Sequence, residues 1–255
     1  MKPFLLPLIL SVILFTSCKK NTFNLNEKQA QSIPVDKKLT VDKSIDSFIQ
    51  PFRTHLNKTL DSALAFAPKT YSKKDYGTNK ALNTAIGNFM ADVVYTEAQP
   101  IFKSRTKLDL DAVLLNYGGI RSVISKGPIS ARTAYQVMPF ENSIVITKLK
   151  RAQIDSLINY LATEGKAHPI SNMSLTLDKN NSVLTTSING KPLEDRAYYI
   201  ATSDYLVTGG DRMNFFKAAD TVYNTDYKIR NALIEHFNKA DTITPKIDNR
   251  FIKLN

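Results

Sequence analysis

Three short segments carry side chains able to hold a small polar ligand. The first is Asn116-Tyr117-Gly118-Gly119-Ile120-Arg121, at the end of the apolar run Asp111–Asn116. Its two glycines let the backbone come close to a ligand. Asn116 offers a donor and an acceptor together, and Arg121 offers a fork shaped for phosphate or carboxylate. The second segment is Pro139-Phe140-Glu141-Asn142. An aromatic face with an amide two residues on can cover a flat heterocycle and read its edge. The third is Tyr205-Leu206-Val207-Thr208-Gly209-Gly210-Asp211. It adds a second stacking surface and a carboxylate able to accept from a sugar diol. Taken singly, each segment also has a plain structural reading: a glycine turn, a core Phe beside a turn Asn, and a hairpin or helix-cap Asp.

Chemistry of other kinds is poorly represented. The three histidines, His55, His168 and His236, fall in none of the close pairings that dinuclear metal hydrolases use. His55 sits at the edge of a helical stripe and His236 within a helix, where surface or packing roles are expected. No Gly-x-Ser-x-Gly elbow, Walker loop or dinucleotide fingerprint occurs. Carboxylates are plentiful, but spacing alone does not pair an acid with a base. Binding therefore has more support in the residues than catalysis.

Composition narrows the class further. The chain has 255 residues, 43% hydrophobic and 22% charged, with 34 Lys and Arg against 23 Asp and Glu, a net charge of +11. That balance is globular and excludes a disordered chain, a collagen or a multi-pass membrane protein. One Cys excludes a disulfide framework and a cysteine-rich zinc site. The positive charge attracts polyanions, yet the cations are scattered and no nucleic-acid-binding motif is present. No nucleic-acid partner is expected; small phosphorylated metabolites and anionic membranes remain open.

Elements must bring the three segments together. Residues 1–17 have an early Lys2, an apolar run and small residues before Cys18, the plan of a lipoprotein signal peptide with Phe15 where Leu is usual. The mature chain is then expected to begin at a lipid-bearing Cys18, followed by a flexible tether to residue 38. A single domain is expected over 39–255. From Asp42, apolar residues at Ile45, Phe48, Ile49, Phe52, Leu56 and Leu60 have helical spacing, with Pro51 expected to kink or split the helix. Residues 62–70 suit a strand. Thr84 caps a helix carrying Ile86, Phe89, Met90, Val93, Val94 and Ile101. Residues 111–116 read as a buried strand, 130–136 as a short helix, 144–149 as a strand and 154–161 as an amphipathic helix. Strands are expected at 171–178, 182–188 and 197–203, with the turn pair Asn189-Gly190 between the last two. A late helix carries Ile229, Leu233 and Phe237, and 246–253 suits a closing strand. The interleaving gives an α/β or α+β class.

The motifs in this order resemble the C-terminal, substrate-binding domain of the 5′-nucleotidase family. Besides the three segments above, Gly87-Asn88-Phe89-Met90-Ala91-Asp92 is similar to that family's helix motif. The resemblance runs from about Asp42 to the end and implies a four-layer α/β/β/α sandwich. It implies that Phe140 and Tyr205 clamp a nucleobase, Asn142 reads the base edge and Asp211 holds the ribose hydroxyls. Asn116, Arg121, Gly118 and Gly119 would lie near the ribose and phosphate. Lys80 falls roughly where the family has an Arg, so the charge is kept and the bidentate fork lost. Arg212 departs from the family's usual Gly and would crowd the pocket or add a phosphate contact. Family enzymes carry a metallophosphatase domain ahead of this one, and the signal, tether and first helix leave no room for it here. The resemblance thus implies a nucleoside- or nucleotide-binding lipoprotein of a bacterial envelope, in nucleotide catabolism, with no cofactor of its own and with metals supplied by a separate metallophosphatase chain. The alternative is a non-catalytic periplasmic nucleoside-binding or scaffold lipoprotein.

Overall fold

The computed structural model describes residues 32–36, 38–76 and 82–254. The expected signal peptide, Cys18, most of the tether and Lys80 lie outside the described residues. The chain divides into two compact units at Phe48/Ile49, inside the first helix, and the unit Ile49–Asn255 holds every other element.

In chain order the elements are helix α1 (Lys43–Asp61), strand β1 (Ala63–Ala67), α2 (Ala85–Thr106), β2 (Ala112–Leu114), β3 (Gly127–Ser130), α3 (Ala131–Val137), β4 (Ser143–Leu149), α4 (Arg151–Glu164), β5 (Ile170–Ser171), β6 (Met173–Leu177), β7 (Val183–Ile188), β8 (Tyr198–Ser203), the single turn α5 (Asp204–Val207), β9 (Thr221–Lys228), α6 (Ile229–Lys239) and β10 (Phe251–Lys253). Helices and strands interleave as expected, and the class is mixed α/β.

Helix α1 passes through Pro51 without being split. No residue of α1 is buried, so water can serve the carbonyl that proline leaves without a donor, and the usual penalty shrinks. Thr84 caps α2 as expected, its hydroxyl accepting from the Gly87 amide at 3.2 Å. Ser130 closes a capping box with Thr133 at the start of α3.

The central sheet has five strands in the order β5-β2-β8-β4-β9. Strand β2 runs parallel to β8, with Val113 opposite Ala201, while β4 is antiparallel to both β8 and β9. Alternation along β2 divides the interior: Val113 joins a core shared with α2, α3 and α6, whereas Ala112 and Leu114 join a second core on the opposite face. That second core is covered by α4 and by a three-stranded sheet of order β10-β6-β7. Each fully buried Leu or Ile contributes about 1.5–3 kcal/mol, and two cores on one sheet hold its strand ends in fixed register.

Several elements differ from their expected form. Strand β9 was not signalled, because TVYNTDYK is polar and only Thr225 in it is buried, as befits an edge strand. The strand at 171–178 is broken at Asn172, whose φ is 57°. Asn189 and Gly190 do turn in left-handed conformations, at 54° and 69°. They do not join paired strands: β7 pairs with β6, while β8 belongs to the central sheet. The closing strand shortens to Phe251–Lys253.

Candidate functional site

The strand register explains how segments far apart in sequence meet. Parallel β2 and β8 end on the same side of the central sheet, delivering Asn116–Arg121 and Tyr205–Asp211 there. Antiparallel β4 begins on that side, with Ile144 opposite Ser203, and delivers Phe140 and Asn142. The result is a pocket of about 320 Å³. Asn116, Gly118, Gly119 and Arg121 form one wall; Phe140 and Asn142 form another; Tyr205 and Asp211 complete it. Eight of the nine residues expected to touch a ligand are thereby brought together, and Lys80, the ninth, is outside the described residues.

Local contacts fix the arrangement. Asn116 Nδ2 donates to Asp211 Oδ2 at 2.7 Å, and the Tyr205 hydroxyl donates to Asp211 Oδ1 at 3.4 Å. Tyr160 anchors the Asp211 backbone by donating to its carbonyl at 2.8 Å. Asp211 has a φ of 50° and Arg212 one of 62°, a left-handed pair that non-glycine residues adopt only where surroundings demand it. Two glycines are required by close approach. A methyl at Gly119 would stand 2.9 Å from Asn116 Oδ1, and one at Gly210 would stand 2.4 Å from the Tyr205 ring.

The Phe140 turn is held from beneath. Arg230, 4% exposed, donates to the Pro139 and Phe140 carbonyls at 3.2 and 3.4 Å and pairs with Glu141. Its guanidinium also covers the Tyr135 ring at 4.1 Å. Hydrogen bonds from Arg230 and Lys228 hold the Glu141 carboxyl down at about 2. Sequence reasoning passed over Arg230; a buried Arg near a predicted loop leaves no periodic signal.

The pocket keeps bonding capacity in reserve. Phe140 is 41% and Tyr205 45% exposed. Arg121 rests 5.8 Å from the Phe140 ring centroid and makes only a long bond, 3.4 Å, to the Gly118 carbonyl. Such a site offers two aromatic side chains, an amide, one cation and one carboxylate to a ligand.

Arg212 turns out of this pocket and pairs with Glu164 at 2.6 Å, so it does not crowd the site as the sequence suggested. His168, given no role from sequence, accepts the Tyr117 amide on Nδ1 at 3.2 Å and so braces the glycine turn. His236 packs edge-on against Phe89. Among the described residues no group of three or more His, Cys, Asp or Glu side chains is placed to hold a metal ion.

Residues 63–218 match the family described as "5′-nucleotidase, C-terminal domain". The chain is 22% identical over 249 residues, 91% of its length, to a trifunctional nucleotide phosphoesterase protein of Bacillus subtilis. It is 26% identical over 208 residues, 74% of its length, to a cell wall protein of Listeria monocytogenes. It spans only 16% and 26% of those two relatives. Among solved structures, a 5′-nucleotidase precursor from Thermus thermophilus shares the fold with a TM-score of 0.67 at 20% identity, over 84% of this chain and 43% of that one.

Proposed function

The chain belongs to the 5′-nucleotidase C-terminal domain family, and from that premise we propose that its pocket binds a nucleoside or nucleotide. The base lies between Phe140 and Tyr205, with the Asn142 amide at its edge. Asp211, oriented by Asn116, accepts from the ribose hydroxyls, and Arg121 neutralises a phosphate at the rim. One observation carries this reading: three segments spread along the chain converge on one pocket of about 320 Å³ with both rings exposed in it.

A base stacked on an aromatic ring gains roughly 1–3 kcal/mol. Two rings and a few hydrogen bonds give micromolar affinity, on the order of −8 kcal/mol. Hydrolysis is assigned to a separate metallophosphatase chain that supplies the metals while this domain holds the base and sugar. A lipid on Cys18 tethers the protein to a bacterial envelope. The name of the Listeria relative, a cell wall protein, supports an envelope location. Among the described residues no helix is long and apolar enough to cross a membrane.

Calorimetry of the full chain with adenosine and 5′-AMP tests the reading. Micromolar heats are expected for both; an absence of heat with either ligand up to millimolar concentration would overturn it. Added metallophosphatase separates the split enzyme from a purely binding lipoprotein, since only the former raises AMP turnover above that of the phosphatase alone.

A further inference from the structure

Arg121, the cation of the pocket, is aimed by very little of its own bonding. Its guanidinium makes one long bond, 3.4 Å, to the Gly118 carbonyl and stands 5.8 Å from the Phe140 ring centroid. The direction in which the side chain leaves the backbone is therefore set by the peptide plane between Ile120 and Arg121. One end of that plane is pinned by α3, whose last residue, Val137, accepts the Arg121 amide at 2.8 Å. The other end is the Ile120 carbonyl. Ile120 is 0% exposed, and no backbone amide among the described residues donates to its carbonyl. Buried carbonyls are almost always satisfied, so this one needs a donor from outside the turn.

Lys73 is that donor. Its ammonium donates to the Ile120 carbonyl at 2.6 Å and to the Tyr117 carbonyl at 3.5 Å. It also stands 4.5 Å over the Tyr117 ring, where the ring face attracts a cation. These contacts are with carbonyls and a ring rather than with a carboxylate, so the charge is directed at the glycine turn. Two residues earlier, Tyr71 exchanges both backbone bonds with Ile124, at 2.8 and 3.0 Å. That bridge fixes the backbone leading to Lys73 against the chain that follows Arg121. Lys73 is not among the residues lining the pocket, so it reaches a ligand only through the turn it holds.

We propose that Lys73 is a positioning residue of this pocket: by holding the Ile120 carbonyl it sets the direction in which Arg121 reaches its ligand. The assignment rests on the reading above that Arg121 meets a phosphate at the rim. Without the ammonium, the Ile120 carbonyl has to turn toward water to find a donor, and the peptide plane turns with it. The Arg121 fork then moves off its target. A guanidinium binds an anion through a planar, directional pair of donors, so affinity is lost although the charge of Arg121 remains.

Calorimetry of the full chain with 5′-AMP, at a temperature well below Tm, tests this through a double-mutant cycle. Arg121→Met is expected to weaken 5′-AMP about tenfold and Lys73→Met about fivefold, equivalent to about 1.4 and about 1 kcal/mol. Lys73→Arg keeps a charged donor and is expected to recover most of the loss. In the Arg121→Met background, Lys73→Met is expected to cost nothing further. A lysine acting by its own charge on the phosphate would weaken 5′-AMP equally in both backgrounds. A lysine with a purely structural role would lower Tm and leave the affinity of the folded protein unchanged. Either result overturns the positioning role while the reading of the pocket stands. If the wild-type chain does not bind 5′-AMP, or if Arg121→Met leaves its affinity unchanged, that reading of Arg121 fails and the positioning role falls with it.

Discussion

One cavity among the described residues is larger than the pocket proposed for nucleotides, and the two differ in how their groups are used. A cavity of about 410 Å³ lies where α2 meets the C-terminal segment, lined by Asn88, Asp92, Asp248 and Arg250 among others. There the groups spend themselves on each other. Arg250 contacts Asp92 at 2.7 Å and Asp248 at 2.8 Å. Asn88 Nδ2 donates to Asn83 at 2.7 Å and to the Lys246 carbonyl at 3.0 Å, while the buried Asn88 Oδ1 has no partner among the described residues. This network fastens the chain end to the start of α2. The pocket at the ends of β2 and β8, about 320 Å³, leaves two aromatic faces uncovered and Arg121 barely engaged. Size therefore ranks the cavities wrongly, and unspent bonding capacity separates a ligand site from a structural joint.

Substitutions at the two cavities should act on different observables. The largest effect is expected for Arg250→Met, which strands Asp92 and Asp248. Breaking a fully buried pair costs about 3–5 kcal/mol. Here both carboxylates are nearly half exposed, at 47% and 44%, so about 2–3 kcal/mol is expected. Urea unfolding should report that loss, with adenosine affinity unchanged in the folded protein. Phe140→Ala and Tyr205→Ala should reverse the pattern. Each is expected to weaken adenosine about tenfold or more while moving stability by less than about 0.5 kcal/mol, because both rings are exposed. A large stability loss in either variant would mean that the rings are structural, and the contrast would collapse. Gly210→Ala comes next: its methyl displaces the Tyr205 ring, and a several-fold loss of adenosine affinity is expected with little change in Tm.

The smallest expected effect is one of pH. Burial lowers the His168 pKa to about 4 and lowers that of His236 as well. Between the ordinary value of 6.5 and about 4 the unfolded chain binds more protons than the folded one at these sites, so stability falls as pH falls through that range. Each kcal/mol lost lowers Tm by about 2–4 °C in a domain of this size. His168→Gln should flatten the Tm profile between about pH 6.5 and 5; an unchanged slope would remove His168 from this account. Glu141 acts in the same direction as the histidines, but at lower pH. Its pKa is depressed from 4.5 to about 2, so its pairing with Arg230 is fully present above pH 4.5 and is lost only as pH falls toward 2.

Much of this was legible from the sequence because it is encoded locally. Thr84 has the hydroxyl that an N-cap needs, and Ile144–Leu149 is β-branched and bounded by turn residues. The residue types in the Asn-Tyr-Gly-Gly, Pro-Phe-Glu-Asn and Gly-Gly-Asp segments advertised a polar ligand. What escaped notice was encoded non-locally. Strand β9 is a strand because β4 offers it an edge, not because TVYNTDYK prefers one. Pro51 is tolerated because no residue of α1 is buried. Arg230 matters through the Phe140 turn, 90 residues away in sequence.

The chain's own order of side chains settled which chemistry was possible: short-range preferences for helix, strand and turn, and a set of donors, acceptors and rings with no metal-binding spacing. Only the tertiary structure decided where those groups meet. Parallel β2 and β8 with antiparallel β4 place three loops at one end of the sheet. Arg212 is turned away toward Glu164, and His168 is buried against the Tyr117 amide. The physical reason is range. Backbone dihedrals and side-chain alternation are set by neighbours within a few residues, whereas strand pairing is set by burial across the whole chain, and convergence at a pocket is a property of pairing.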